Sequence, residues 1–139
     1  MTKIALILAH NPRSAIQRHH PPLALGYLAS WLKREVPDVE VGFFTDAERA
    51  AAFQPDLIGV SSVTQNIPIA ARLAEELKAK TDAPIVLGGI HASLLPETLP
   101  AGFDMGAIGE GERTIADLVR WRRGEIADLR AIPGLAVRE

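Results

Sequence analysis

The stretch Pro55–Asn66, "PDLIGVSSVTQN", limits the possible folds of this chain more than any other. A turn at Pro55 and Asp56 opens a four-residue apolar run, Leu57–Val60. The run gives way at once to Ser61, Ser62, Thr64, Gln65 and Asn66. A strand that is apolar on both faces belongs in the middle of a parallel sheet, with helices covering both sides. A polar segment at its carboxyl end is where such sheets take their ligands.

The rest of the chain repeats that grammar. Lys3–Ala9 is a continuous apolar strand, and the thirteen residues "HNPRSAIQRHHPP" after it are long for a strand-to-helix loop. Excess length at such a place usually serves a function. Pro21 and Pro22 suit the entry of a helix from Leu23, with Ala24, Leu28, Trp31 and Leu32 on its apolar face and Leu25 beside it. Pro37 ends that helix. Val39–Thr45 reads as strand two and Ala47–Phe53 as a short helix. After strand three, Asn66 or Thr64 is expected to cap a helix reaching about Lys80, with Ile69, Leu73 and Leu77 four residues apart. Pro84–Leu87 is strand four, and the segment broken by Pro96 and Pro100 is expected to hold one or two helical turns. Phe103–Ile108 is strand five. The helix after it places Ile115, Leu118, Val119 and Arg122 together and stops at Gly124. Leu135–Val137, after a Pro133–Gly134 turn, is a candidate short last strand. The expected fold is α/β: an open, mostly parallel five-stranded sheet with helices on both faces. The pattern does not fix the strand order, and 2-1-3-4-5 is the order expected. That order brings strands one and three together at the switch point.

The chain has 139 residues, the size of one domain. Its formal net charge of -2 disfavours a grip on nucleic acid, which usually shows a basic excess. The absence of cysteine removes disulfides, thiolate zinc, iron–sulfur ligation and thiol catalysis within the chain. The opening "MTKIALILAHN" turns polar too early for a spanning helix and lacks a signal-peptide pattern. A cytoplasmic location and no membrane partner are expected.

Four loops are expected to converge on the ligand edge: Ala9–Pro22, Ser61–Asn66, Gly88–Ser93 and Gly109–Glu112, with Asp46 within reach. Gly88–Gly89, and Gly109 and Gly111 around Glu110, allow close approach of another group, although tight turns alone also call for glycine. Ser61, Ser62 and Thr64 are candidates to hold a phosphate or an amide, or to cap the next helix. All four histidines, His10, His19, His20 and His91, fall in these loops. Neither G-x-G-x-x-G nor G-x-x-x-x-G-K-[ST] is present, nor H-E-x-x-H nor G-x-S-x-G. This argues against a nicotinamide dehydrogenase, a P-loop ATPase, a dedicated zinc site and a serine hydrolase. No self-contained catalytic constellation is visible.

The succession "HHPPLALGYLASWLK", "PDLIGVSSVTQN", "IVLGGIHASLLPE", "FDMGAIGEGERTIADL" and "IPGLAVRE" resembles the N-terminal cobalamin-binding domain of B12-dependent radical SAM enzymes. That group includes magnesium-protoporphyrin IX monomethyl ester oxidative cyclase and its relatives. The match runs from about Ile4 to Arg138.

The resemblance implies a flavodoxin-like, Rossmann-like fold that holds cobalamin against the carboxyl ends of the strands. The nucleotide tail would lie between strands and helices. Carried over by motif, Arg18, His19, His20, Pro21, Pro22 and Leu25 would approach the lower face of the cobalt. Ser61, Ser62, Thr64 and Asn66 would meet the corrin amides and the tail. Gly88, Gly89 and His91 would line the tail cleft, Gly109, Glu110, Gly111 and Glu112 would close the far side, and Asp46 completes the candidate set.

The D-x-H-x-x-G segment of cobalamin mutases is missing after strand one, so a cobalt without a protein ligand is expected. The C-x-x-x-C-x-x-C segment of the radical domain is missing too. Residues 1–139 are therefore expected to be a single cobalamin-binding domain, excised from a longer enzyme and not catalytic by itself. The partner would be a C-terminal radical SAM domain of the same polypeptide, carrying the [4Fe-4S] cluster and S-adenosylmethionine. The parent reaction would be methyl transfer or oxidative cyclisation.

Two other readings compete. A receiver-like signalling domain needs an acidic pair after strand one and a lysine after strand five, and neither is present. A flavin mononucleotide carrier needs a hydroxyl- and glycine-rich first loop, where only Ser14 is available.

Overall fold

The computed structural model describes residues 1–9, 23–62, 66–88, 99–108 and 111–138. Among them are six strands in one sheet: β1 (Thr2–Leu8), β2 (Val39–Phe44), β3 (Leu57–Ser61), β4 (Ile85–Gly88), β5 (Met105–Ala107) and β6 (Leu135–Val137). Four helices accompany them: α1 (Leu23–Glu35), α2 (Ala47–Ala52), α3 (Ile67–Lys80) and α4 (Gly111–Arg122). The strand order is β2-β1-β3-β4-β5-β6. The first five strands pair in parallel in the expected order, and β6 adds antiparallel to β5. Leu135–Val137, the candidate short last strand, is thus a sixth member of the sheet, where five were expected. Three residues after a Pro-Gly turn carry too little pattern to announce a partner.

Two cores follow from the alternation of side chains along each strand. Ala5, Ile7, Ile58, Val60, Ile85 and Leu87 point to one face, where α2 and α3 cover them with Ala47, Ala50, Ala70, Leu73, Ala74 and Leu77. Ile4, Leu6, Leu57, Val86, Met105 and Ala107 point to the other face, against α1 and α4. β3 lies at the centre with Leu57, Ile58 and Val60 all but inaccessible. Burying each of these large aliphatic side chains contributes about 1.5–3 kcal/mol. The doubly apolar character of this strand is thus the signature of its position.

Several local expectations need correction. The buried face of α1 consists of Leu25, Ala29 and Leu32 and continues to Val36, while Leu28 and Trp31 are only half-buried. The α4 face is Thr114, Ile115, Ala116, Leu118 and Val119. Arg122 leaves it, donating from Nε to the carbonyl of Asp56 at 2.8 Å. Asn66 occupies the position before α3 without capping it. The expected turns around Pro96 lie outside the described residues.

At the amino ends of the strands, Arg123 acts as a clamp. Its Nε donates to the Thr2 hydroxyl at 2.7 Å, and its Nη2 to the carbonyls of Pro37 and Asp38 at 2.6 and 2.7 Å. The Lys3 amide donates to the Asp56 carboxylate at 2.8 Å. These contacts fix the end of the sheet opposite to the one expected to bind.

Candidate functional site

The two faces of the sheet differ most at the carboxyl ends. Toward α2 and α3, Val60 and Leu87 keep the face bulky to the end. Toward α1 and α4, three strands carry bulky residues first and small ones at their carboxyl ends: Leu57 before Gly59 and Ser61 in β3, Val86 before Gly88 in β4, and Met105 before Ala107 in β5. Helices packed on bulky residues at one end cannot also close on glycine, serine and alanine at the other. The result is a cleft of about 330 Å³ between sheet and helices. Leu6, Gly59, Ser61, Val86, Gly88 and Ala107 form its floor. Leu25 and Leu28 of α1 and Ile115 and Leu118 of α4 form its roof. Tyr27, Val60, Gly111, Glu112 and Thr114 complete the lining. A cleft of this size and apolarity is the usual form of a small-molecule site.

Its glycines differ in what they do. A Cβ at Gly59 would come within 3.0 Å of Leu6 Cδ2 and meet Ile115 and Val86, so Gly59 sits where the layers close. At Gly88 and Gly111 a Cβ would meet no described atom within 4 Å. Both line the cleft, and both leave backbone bare toward it. These two positions form a cradle that a Cβ would begin to fill.

Hydrogen bonds between strand ends set the shape of the mouth. The Ala9 amide donates to the Ser61 carbonyl at 2.9 Å, and the Ser62 amide to the Gly88 carbonyl at 3.2 Å. The Nδ2 of Asn66 donates to the Ala9 carbonyl at 3.1 Å. On the far side, the Ile108 amide donates to the Gly134 carbonyl at 2.7 Å. Thr114, 4% exposed, donates its hydroxyl to the Pro133 carbonyl at 3.2 Å. The turn before β6 thereby braces the residues on either side of Gly109 and Glu110.

Of the residues expected at the site, the structure brings Leu25, Ser61, Gly88, Gly111 and Glu112 to this cleft. Ser62 and Asn66 are buried beside it, 2% and 4% exposed, and are not part of its lining. Asp46 caps α2 by accepting from the Arg49 amide at 2.8 Å, and it too is absent from the lining. Arg18, His19, His20, Pro21, Pro22, Thr64, Gly89, His91, Gly109 and Glu110 lie outside the described residues. Among the described residues there is no group of three or more His, Asp or Glu side chains able to hold a metal ion. Nor is any helix among them long and apolar enough to cross a membrane.

Sequence reasoning did not assign Gly59, Thr114 or Leu118 to the site, and it read Tyr27 as packing rather than lining. Gly59 did carry a signal: a glycine inside a buried strand marks a close approach or a place without a packed side chain. Thr114 carried none, because its role depends on a turn nineteen residues away.

Comparisons with known proteins agree on one family. The sequence matches the family described as "B12 binding domain" over residues 13–119. It is 33% identical to an uncharacterized methyltransferase of Pyrococcus horikoshii over 154 aligned residues, covering 99% of this chain and 33% of that protein. It is 41% identical over 66 residues to tryptophan 2-C-methyltransferase of Streptomyces laurentii, covering 45% of this chain and 11% of that protein. Among solved structures, the radical S-adenosylmethionine methyltransferase TsrM of Kitasatospora setae, with cobalamin and a [4Fe-4S] cluster bound, superposes with a TM-score of 0.79 at 26% identity. That superposition covers all of this chain and 28% of TsrM. The cobalamin-dependent radical enzyme OxsB shares the fold, with a TM-score of 0.71 at 21% identity. The chain thus spans a third or less of the length of these relatives. With the family match over residues 13–119, more than half of its length, the chain belongs to the B12-binding domain family.

Proposed function

We propose that this protein binds cobalamin with the nucleotide tail in the cleft under α1 and α4 and the corrin ring across the mouth above it. The chemistry of the cofactor supports this division. The corrin is broad and fringed with amides, whereas the lower base is flat and largely hydrocarbon. Only the latter matches a narrow cleft roofed by Leu25, Leu28, Ile115 and Leu118. Gly88 and Gly111 let the tail approach backbone, and the Ser61 hydroxyl at the end of β3 is placed to bond it. The observation that carries the reading is the bare cradle at those two glycines. Among the residues outside the description, Arg18, His19, His20, Pro21, Pro22, Thr64, Gly89, His91, Gly109 and Glu110 are proposed to meet the corrin and the upper tail. Asp46, Ser62 and Asn66 are proposed to act indirectly, by shaping the loops.

Bound cobalamin supplies methyl-transfer chemistry that no side chain can provide. We propose that the chain serves as the N-terminal part of a longer cytoplasmic enzyme and presents the cofactor to a radical SAM domain of the same polypeptide. The cluster and S-adenosylmethionine would be held by that domain. Methyl transfer is the reaction we favour, since two relatives are named as methyltransferases and TsrM is one. Oxidative cyclisation of the magnesium-protoporphyrin type is the finer alternative.

Purified protein mixed with hydroxocobalamin is expected to retain it through gel filtration, with corrinoid absorbance co-eluting with protein. Complete loss of colour at micromolar protein would overturn the binding reading. A three-cysteine segment encoded beyond Glu139 is expected, and its absence would overturn the fusion.

A further inference from the structure

The lining of the cleft also bears on which corrinoid is bound, if the tail lies there as proposed. Its deep part is hydrocarbon: Leu6, Leu25, Val86, Ile115 and Leu118 are each at most 6% exposed. The polar side chains of the described lining stand at the carboxyl ends of the strands and the start of α4, toward the mouth, or are exposed or engaged. Ser61 ends β3, Tyr27 is 68% exposed, and Glu112 is half-exposed in the first turn of α4. The hydroxyl proton of Thr114 is given to Pro133.

Cobamides differ chiefly in the lower base, which is a benzimidazole, a phenol or a purine. Dimethylbenzimidazole presents methyl groups and ring carbons along its outer edge. Adenine presents an amino group and ring nitrogens there, and each needs a hydrogen-bond partner once it leaves water. We infer that this cleft discriminates among cobamides by the lower base, accepting benzimidazole-type bases and rejecting purines. One buried polar group left unpaired lowers affinity about tenfold to a hundredfold. Adenine also coordinates cobalt more weakly than dimethylbenzimidazole, so detaching the base favours the purine. A preference for benzimidazole is therefore the contribution of the cleft.

The test titrates the protein with hydroxocobalamin, with the adenine-bearing cobamide and with cobinamide, which has no nucleotide. Cobalamin is expected to bind at least about tenfold more tightly than either of the others. Val86→Thr places a hydroxyl in the deep cleft at nearly constant volume, and it should narrow the gap between cobalamin and the adenine form. Equal binding of all three would leave a corrinoid site standing and overturn selection by the cleft, as would a preference for the adenine form. Failure of all three to bind would overturn both the site and the selection.

Discussion

The side-chain amide of Asn66 donates a 3.1 Å hydrogen bond to the backbone carbonyl of Ala9, fifty-seven residues earlier in the chain. It joins the residue that follows β1 to the residue that precedes α3. β1 and β3, neighbours in the sheet, are the strands that meet at the switch point. The bond is buried, so its loss strands a carbonyl away from water.

Replacing Asn66 by alanine is therefore expected to cost about 1–3 kcal/mol of stability, read from urea unfolding. Because the bond also sets the spacing between the residue after β1 and the residue before α3, cobalamin affinity should fall with it. Asn66→Asp should be worse at neutral pH, since it opposes a carboxylate to the Ala9 carbonyl. An Asn66→Ala protein as stable as the wild type would show that the bond is incidental.

Gly134 has a φ of +74°, and a Cβ there would lie 3.1 Å from the Ile108 carbonyl and 3.3 Å from the Thr114 hydroxyl. Both strain and crowding oppose any side chain. Gly134→Ala is expected to cost about 1–3 kcal/mol. It should also weaken cobalamin binding, because the displaced atoms flank the β5–α4 loop. Thermal unfolding and corrinoid titration of the same variant separate the two effects.

Arg123→Ala supplies the contrast. Its three hydrogen bonds tie α4 to Thr2, Pro37 and Asp38 at the amino ends of the strands. The variant should lose about 1–3 kcal/mol of stability. Below its melting temperature it should bind cobalamin as the wild type does. A weakened affinity in the fully folded variant would contradict the separation between the fixed end and the binding end.

Much of the fold was legible because it rests on local pattern and on a topological rule. "KIALILA" and "DLIGV" read as strands covered on both faces; the pattern does not fix the strand order, and the expected 2-1-3-4-5 agrees with the first five strands of the sheet. What was not legible depends on distant partners. The cap expected of Asn66 is a local preference, and it yields to a bond with Ala9 that no window of sequence contains. On α1, Leu28 and Trp31 pack against the core as the helical period expects but only partly buried, while Leu25, placed beside that face, is fully buried. Ser61 and Ser62 look equivalent in sequence. The strand period sends Ser61 to the cleft and leaves Ser62 outside its lining.

The central claim is that the cleft bared at Gly88 holds the cofactor, and Gly88→Leu tests it most directly. No described atom lies within 4 Å of a Cβ at that position, and the side chain added there extends from a residue that lines the cleft. The melting temperature should hold or rise, since glycine weakens a strand. Hydroxocobalamin affinity, read by absorbance titration, should fall at least about tenfold, because leucine occupies the space the tail requires. A folded Gly88→Leu protein that binds hydroxocobalamin as tightly as the wild type would contradict the account.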